Sequence, residues 1–243
     1  MSSSFIYIDS SDRLFGSPSN FKVDIQDLNS NNEKDISLNT LSINKSFYSI
    51  NNNNHSFLFS TTGTTGTTNL TNGNYNSTQF CTELNTQLNS FPLGITFASS
   101  CSSTNGKLTI ASSDTSDFTI TSNTQNYRYL GMNVSSVVPS VSGIWVSPNV
   151  IDLSGSRYID VLVDLPISSV NTKNKNKNVL ARVYINADRF SQILYLKENF
   201  SFCKLLTARL NQISFQLVDE FNNELDLNGT EWNCTIEIKD TPN

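Results

Sequence analysis

Apolar and polar residues alternate with a period of two at several places along the chain. Phe21, Val23 and Ile25 interleave with Lys22 and Asp24; Trp232, Cys234, Ile236 and Ile238 interleave with Asn233, Thr235 and Glu237. An extended backbone sends successive side chains to opposite faces, so each stretch predicts a half-buried β-strand. The pattern recurs at Ile159, Val161, Val163 and Leu165, at Val179, Ala181, Val183 and Ile185, and at Ile213, Phe215 and Leu217. Near the first strand, Ile36 and Leu38 share one parity whereas Leu41 and Ile43 take the other. A parity change inside a continuous strand pattern predicts a β-bulge or a bend between two sheets.

Phe57 and Phe59 give a short strand that runs into the Thr/Gly repeat of residues 61–68, which reads as a linker and a domain boundary. Beyond it the period changes. Phe80, Cys81, Leu84 and Leu88 fall at helical spacing, with Ser77 or Thr78 as N-cap and Pro92 limiting the end, so a helix is predicted over about 77–90. Gly106 to Ile110 and Asp117 to Thr121 are alternating runs joined by a polar connection, which predicts a hairpin over about 106–121. The expected organisation is a discontinuous β-domain of residues 1–60 and 146–243, interrupted by an α+β insertion of residues 61–145. About eight strands without intervening helices predict an all-β fold, a single eight-stranded jelly-roll sandwich with a small inserted α+β subdomain.

Composition narrows the function classes. In 243 residues, 37% are hydrophobic and 15% charged, so the chain can build a core and its polar surface is made largely of Asn, Ser and Thr. A net charge of −5 leaves no broad basic surface for nucleic acid, and any such contact must be local. No run approaches the ~18 apolar residues of a membrane helix. The first residues lack a basic region, so no signal peptide is predicted and the bulk reading is a soluble protein of the cytosol or nucleus. The four cysteines, Cys81, Cys101, Cys203 and Cys234, are widely spaced, and with the single His55 they form no adjacent zinc-ligand pair. They read as reduced thiols, with a disulfide formed after release into oxidising surroundings as the alternative.

Three blocks together resemble a known family. The first is the order I-D-S-S-D-R (residues 8–13), S-P-S (17–19), the Phe21 strand and S-I-N-K-S-F-Y-S-I (42–50). The second is G-N-Y, the helix, G-K-L-T-I, F-T-I and Y-L-G. The third is L-N-G-T-E-W-N-C-T-I-E-I (227–238). The set resembles the penton and related minor capsid proteins of virophages, Polinton-like elements and other DNA viruses of the double jelly-roll lineage. The resemblance implies an upright jelly roll in a homopentamer that closes the five-fold vertices of an icosahedral virion. It also implies assembly in the host cytoplasm, flanking trimers of a double jelly-roll major capsid protein, and an insertion free to meet a host surface or a fibre. A non-vertex cement protein is the alternative in the same class. A carbohydrate-binding sandwich is the alternative from another, suited by exposed Asn, Thr and Tyr.

Candidate chemistry is sparse. His55 lies in a polar turn, no catalytic, metal or cofactor site is predicted, and the chain does not read as an enzyme. The acidic stretch of residues 219–229 lacks the ligand order of a calcium loop and reads as a solvated hairpin. Asp160 and Asp164 share the outward face of one strand and become part of a pair only if a neighbouring strand supplies the partner. Lys173, Lys175 and Lys177 alternate with asparagines in an exposed loop, which reads as a solubilising loop or as a contact for packaged DNA or an acidic neighbour. By the resemblance, Arg13 bridges to an acidic group, within its own chain or on a partner.

Overall fold

The computed structural model describes residues 3–25, 34–92, 94–169, 178–197, 202–206 and 210–240. In chain order the strands and helix are β1 (Ser3–Asp9), β2 (Phe15–Ser17), β3 (Asn20–Asp24), β4 (Lys34–Asn44), β5 (Ser56–Thr61), β6 (Thr64–Asn69), α1 (Ser77–Leu88), β7 (Phe97–Cys101), β8 (Leu108–Ser112), β9 (Phe118–Thr121), β10 (Val137–Pro139) and β11 (Ile144–Val146). They continue as β12 (Tyr158–Val163), β13 (Val179–Tyr184), β14 (Gln192–Leu196), β15 (Cys203–Leu205), β16 (Gln212–Val218) and β17 (Trp232–Asp240). The residues divide into two compact units, Met1–Phe47 with Ser156–Asn243, and Tyr48–Gly155.

The first unit is a sandwich of two antiparallel sheets. One runs β1-β17-β4-β14, with β15 also on β4; the other runs β13-β12-β16-β3-β2. With the short β2 and β15 set aside, the eight principal strands pair first with last, second with seventh, third with sixth and fourth with fifth. That nesting is the jelly roll, a long hairpin rolled so that alternate pairs share a sheet: β1/β17 with β4/β14, and β3/β16 with β12/β13. The fold is all-β apart from α1 and a short 3-10 turn.

Alternation explains the core. Ile159, Val161 and Val163 of β12, Ile213, Phe215 and Leu217 of β16, and Trp232, Cys234, Ile236 and Ile238 of β17 are all buried in one cluster. Each such side chain, taken fully out of water, contributes about 1.5–3 kcal/mol. The parity change in β4 is a bulge. Thr235 opposes Thr40 and the next residue, Ile236, opposes Leu38, which leaves Asn39 as the extra residue and lets Ile36, Leu38, Leu41 and Ile43 all face inward.

A second bulge corrects the sequence reading of β13. Val161 opposes Ala181 but Leu162 opposes Val179, so Leu180 is the unpaired residue. Leu180 and Val183 are buried, Ala181 and Ile185 pack half-buried against the same core, and Val179 is half-buried outside that cluster.

The second unit has its own core. One sheet runs β10-β9-β5-β6, another runs β11-β8-β7, and α1 contributes Phe80, Cys81, Leu84 and Leu88. Phe59, Phe97 and Phe118 form a ring cluster with centroids 5.0, 5.3 and 5.4 Å apart. The buried Trp145 donates its indole N–H to the Val138 carbonyl at 3.1 Å.

Three expectations are corrected here. Phe57 and Phe59 belong to the second core, and Ile151 and Leu153 pack against it, so the first segment of the jelly roll ends at Phe47, not at residue 60, and the second begins at Ser156, not at residue 146. The Thr/Gly run is not a linker. Ser56–Thr61 and Thr64–Asn69 pair as a hairpin about Thr62 and Gly63, whose φ of +105° suits glycine. At Gly66 a Cβ would lie 2.4 Å from the Phe91 ring that stacks on Phe59, so any larger residue there forces that ring to move. The third correction concerns residues 106–121: β8 pairs with β7 and β11 while β9 pairs with β5 and β10, so the two runs join different sheets and form no hairpin. The helix runs from Ser77 to Leu88 within the expected span, but its N-cap is Asn76, not Ser77 or Thr78, with a full capping box to Gln79.

The chain leaves this unit through Asp152 and Gly155. Burial pushes the Asp152 carboxyl up, but hydrogen bonds from the Ser154 hydroxyl and amide and from Arg128, whose Nη2 lies 2.8 Å away, bring it down to about 2. A folded value below the ordinary 3.8 means stability present above about pH 4 and lost as the pH falls towards 2. Because the carboxylate is partly exposed, we expect the effect to be about 1 kcal/mol. Asp152→Asn should remove that step: urea midpoints for it and the natural chain should differ at pH 5 and converge near pH 2.

Candidate assembly surface

The central strands of the jelly roll carry their apolar residues inward, and apart from Leu206, which follows β15, the strongly exposed apolar side chains of this unit lie at its sides. On one side β1 exposes Phe5 and Tyr7, the latter 81% exposed, and the corner into β2 exposes Leu14 and Phe15. On the other side β13 exposes Tyr184, the following connection exposes Phe190, and β14 exposes Leu194 and Leu196, the last at 73%. β1 and β14 are the two edges of one sheet, and β2 and β13 the two edges of the other. Edge strands ordinarily carry charge or proline that discourages pairing with another chain. Here large apolar groups stand on all four edges.

These groups stand on a fixed base. Phe5 opposes Glu237, whose carboxylate takes the Lys197 ammonium at 2.6 Å and the Ser3 hydroxyl at 3.1 Å. The Lys197 hydrogen bond holds the Glu237 carboxyl below its usual range. Tyr7 opposes Thr235, which opposes Thr40, which opposes Leu196, so one row crosses the sheet from edge to edge. On the other sheet, Asp160 is fully buried and takes Arg182 Nε at 2.7 Å and Nη2 at 2.9 Å. The guanidinium lies 3.8 Å over the Tyr158 ring, which meets Tyr184 edge-on at 6.3 Å. The neighbouring strand therefore supplies the partner that Asp160 needed. Asp164 turns instead to Ser214, accepting from its amide and hydroxyl at 2.8 and 2.7 Å.

The structure places Arg13 inside its own chain. Its Nη1 donates to both Glu231 oxygens at 2.8 and 2.9 Å and to the Ser10 carbonyl at 2.8 Å. Ser10, fully buried, donates to Glu231 and accepts the Trp232 amide at 2.9 Å, so the cluster locks the β1–β2 corner to the start of β17. Arg13 thereby positions the side that carries Tyr7, Leu14 and Phe15. Lys173, Lys175 and Lys177 lie outside the described residues. His55 sits in the expected turn with Nδ1 3.1 Å from the Asn51 carbonyl oxygen.

The acidic stretch differs from expectation: Asp219 and Glu220 are buried, not solvated. Asp219 caps its own turn by accepting the Phe221 and Asn223 amides, each at 2.8 Å, and burial pushes its carboxyl up. Glu220 accepts the Arg157 amide at 3.0 Å, and Glu224 takes Ser17 and Asn20 at the β2–β3 turn. Among the described residues no three His, Cys, Asp or Glu side chains gather as a metal-binding group, and no helix is long and apolar enough to cross a membrane.

No protein-family model matches the chain, and no curated protein matches it. Among solved structures it is similar to the crystal structure of the mavirus penton protein, with a TM-score of 0.53 and 11% identity, over 98% of this chain and 100% of that one. The fold is penton-like. At that identity the likeness is carried by topology and not by shared side chains. The match covers nearly the whole chain, and so includes both the jelly roll and the inserted unit.

Proposed function

We propose that this chain is a structural capsid protein, the penton that closes the five-fold vertices of an icosahedral virion. The observation that carries the reading is the apolar exposure on opposite sides of a penton-like jelly roll. A closed ring of odd order needs a heterologous interface, in which one side of each copy meets a different side of the next. Phe5, Tyr7, Leu14 and Phe15 supply one such side; Tyr184, Phe190, Leu194 and Leu196 supply the other. Neither set holds a net charge that would repel its counterpart, and burying aromatic and aliphatic anchors of this size drives association. Such a protein acts through shape and contact area and performs no reaction.

The partners in this reading are four further copies and a double jelly-roll major capsid protein around them, with the virion as location. The insertion, with its separate core, is available for a host surface or fibre, and the lysines of residues 172–178 for an acidic neighbour or DNA. Electron cryomicroscopy of shells assembled with this chain tests the assignment. Its density should occupy the vertices alone; density spread across the facets would make it a cement protein instead.

A further inference from the structure

Helix α1 and strand β7 are joined by a ladder of three rungs. Asn89 donates its Nδ2 to the Phe97 carbonyl at 2.9 Å and accepts the Phe97 amide at 2.7 Å. Asn85 accepts the Ser99 amide at 2.6 Å and the Ser99 hydroxyl at 2.7 Å. The third rung is Cys81 opposite Cys101, with the sulfurs 3.0 Å apart. Residues 89, 85 and 81 are successive i, i−4 positions on one helix face, while 97, 99 and 101 are alternate residues on one face of a strand. Four helical residues rise about 6 Å and two strand residues about 6.6 Å, so the two repeats stay in step across all three rungs. The register that sets the two asparagine rungs therefore sets the thiol pair as well.

A thiol is a weak donor and a weak acceptor, so this rung contributes little while it stays reduced. The sulfurs need to close by only about 1 Å to reach a bond of about 2.05 Å. Both cysteines are free in this structure; Cys81 is buried and Cys101 is partly open to solvent. We propose that Cys81 and Cys101 are a disulfide site, open under reducing conditions and closed by a small-molecule disulfide such as oxidised glutathione, so that oxidation staples α1 to β7.

The exchange balances in two steps. The Cys101 thiolate attacks one glutathione sulfur, forming a mixed disulfide and expelling one glutathione thiolate. The Cys81 thiolate then attacks the Cys101 sulfur and expels the second. The two protein thiols lose two protons and two electrons, and the two glutathione thiols gain them. Burial and the Cys81 sulfur push the Cys101 thiol up to about 12, so little thiolate is present at neutral pH. Closure should therefore be slow at pH 7 and quicken by nearly tenfold for each unit towards pH 9.

The test uses the full chain incubated with oxidised glutathione at pH 8.5, then quenched, denatured and alkylated. Two alkylated cysteines, Cys203 and Cys234, and a linked peptide pair holding Cys81 and Cys101 are expected. The unfolding midpoint followed by Trp145 fluorescence, in the Trp232→Phe background, should rise by about 5–10 °C. Cys101→Ser should abolish both the link and the rise, and the linked peptide in the natural chain gives the answer even if that variant folds poorly. Four alkylated cysteines, a link to Cys203 or Cys234, or a stable glutathione adduct at Cys101 that never resolves would each overturn the proposal.

Discussion

Replacing Trp232 by alanine is expected to cost the jelly roll about 3–5 kcal/mol, the range for removing a large aromatic from a packed core. Trp232 is 2% exposed and joins the two sheets. Its ring from β17 lies 5.6 Å from Phe21 of β3 and 5.9 Å from Phe215 of β16, which stack on each other at 5.5 Å. Its indole N–H also donates to the Pro18 carbonyl at 2.7 Å, holding the turn before β3. Alanine leaves a cavity between the sheets and a carbonyl without its donor. Trp232→Phe keeps most of the volume and loses the hydrogen bond, and should cost about 1–2 kcal/mol. The chain has two tryptophans, Trp232 in the jelly-roll core and Trp145 in the insertion core. In either variant fluorescence therefore follows the insertion alone. Urea unfolding should show an early dichroism transition and a fluorescence transition moved by no more than about 0.5 kcal/mol. A fluorescence transition that moves with the dichroism would contradict two separately built cores.

The second large effect is on assembly. Tyr7→Asp on one side, or Leu194→Asp with Leu196→Asp on the other, should weaken self-association by at least about 30-fold, since truncating a central interface anchor costs about 2 kcal/mol or more. The stability of the single chain should change by less than about 0.5 kcal/mol per site, because these side chains are exposed within it. The two variants also report on each other. In a head-to-tail ring, each retains one intact side, so an equimolar mixture should form a 1:1 pair through the remaining good interface and stop there. A two-fold interface would use one side on both copies, so only one of the two variants would lose association and mixing would rescue nothing.

Much of the jelly roll was legible in the sequence, and particular residues show why. The inward rows of β12, β16 and β17 alternate without interruption, and the bulge at Asn39 leaves its mark because Ile36 and Leu38 change parity against Leu41 and Ile43. The bulge at Leu180 leaves none: Val179, Ala181 and Val183 alternate without a break, and only pairing with β12 shows that Leu180 joins Val183 in the core in place of Val179. β1 is hard to read in the sequence because Phe5 and Tyr7 are apolar on the face that the isolated sandwich leaves exposed, which blurs the alternation. Threonine is a good strand former, so the run read as a linker pairs readily once β5 lies beside it. Alternation reveals strands and not their neighbours, which is why β8 and β9 were read as partners.

The assembly surface was out of reach for the same reason. A period of two separates inside from outside but does not tell an edge strand from a central one. Tyr184, Leu194 and Leu196 become informative only when β13 and β14 are seen to end their sheets. Arg13 was legible as a bridging cation, and its partner Glu231, 218 residues away, was not.

The mass of the purified chain by light scattering, across protein concentration and salt, tests the central claim most directly. Five copies of a 27.0 kDa chain give a discrete species of about 135 kDa, and the account predicts that species, lost in Tyr7→Asp. A closed dimer, or a monomer at every concentration with and without the major capsid protein, would contradict it.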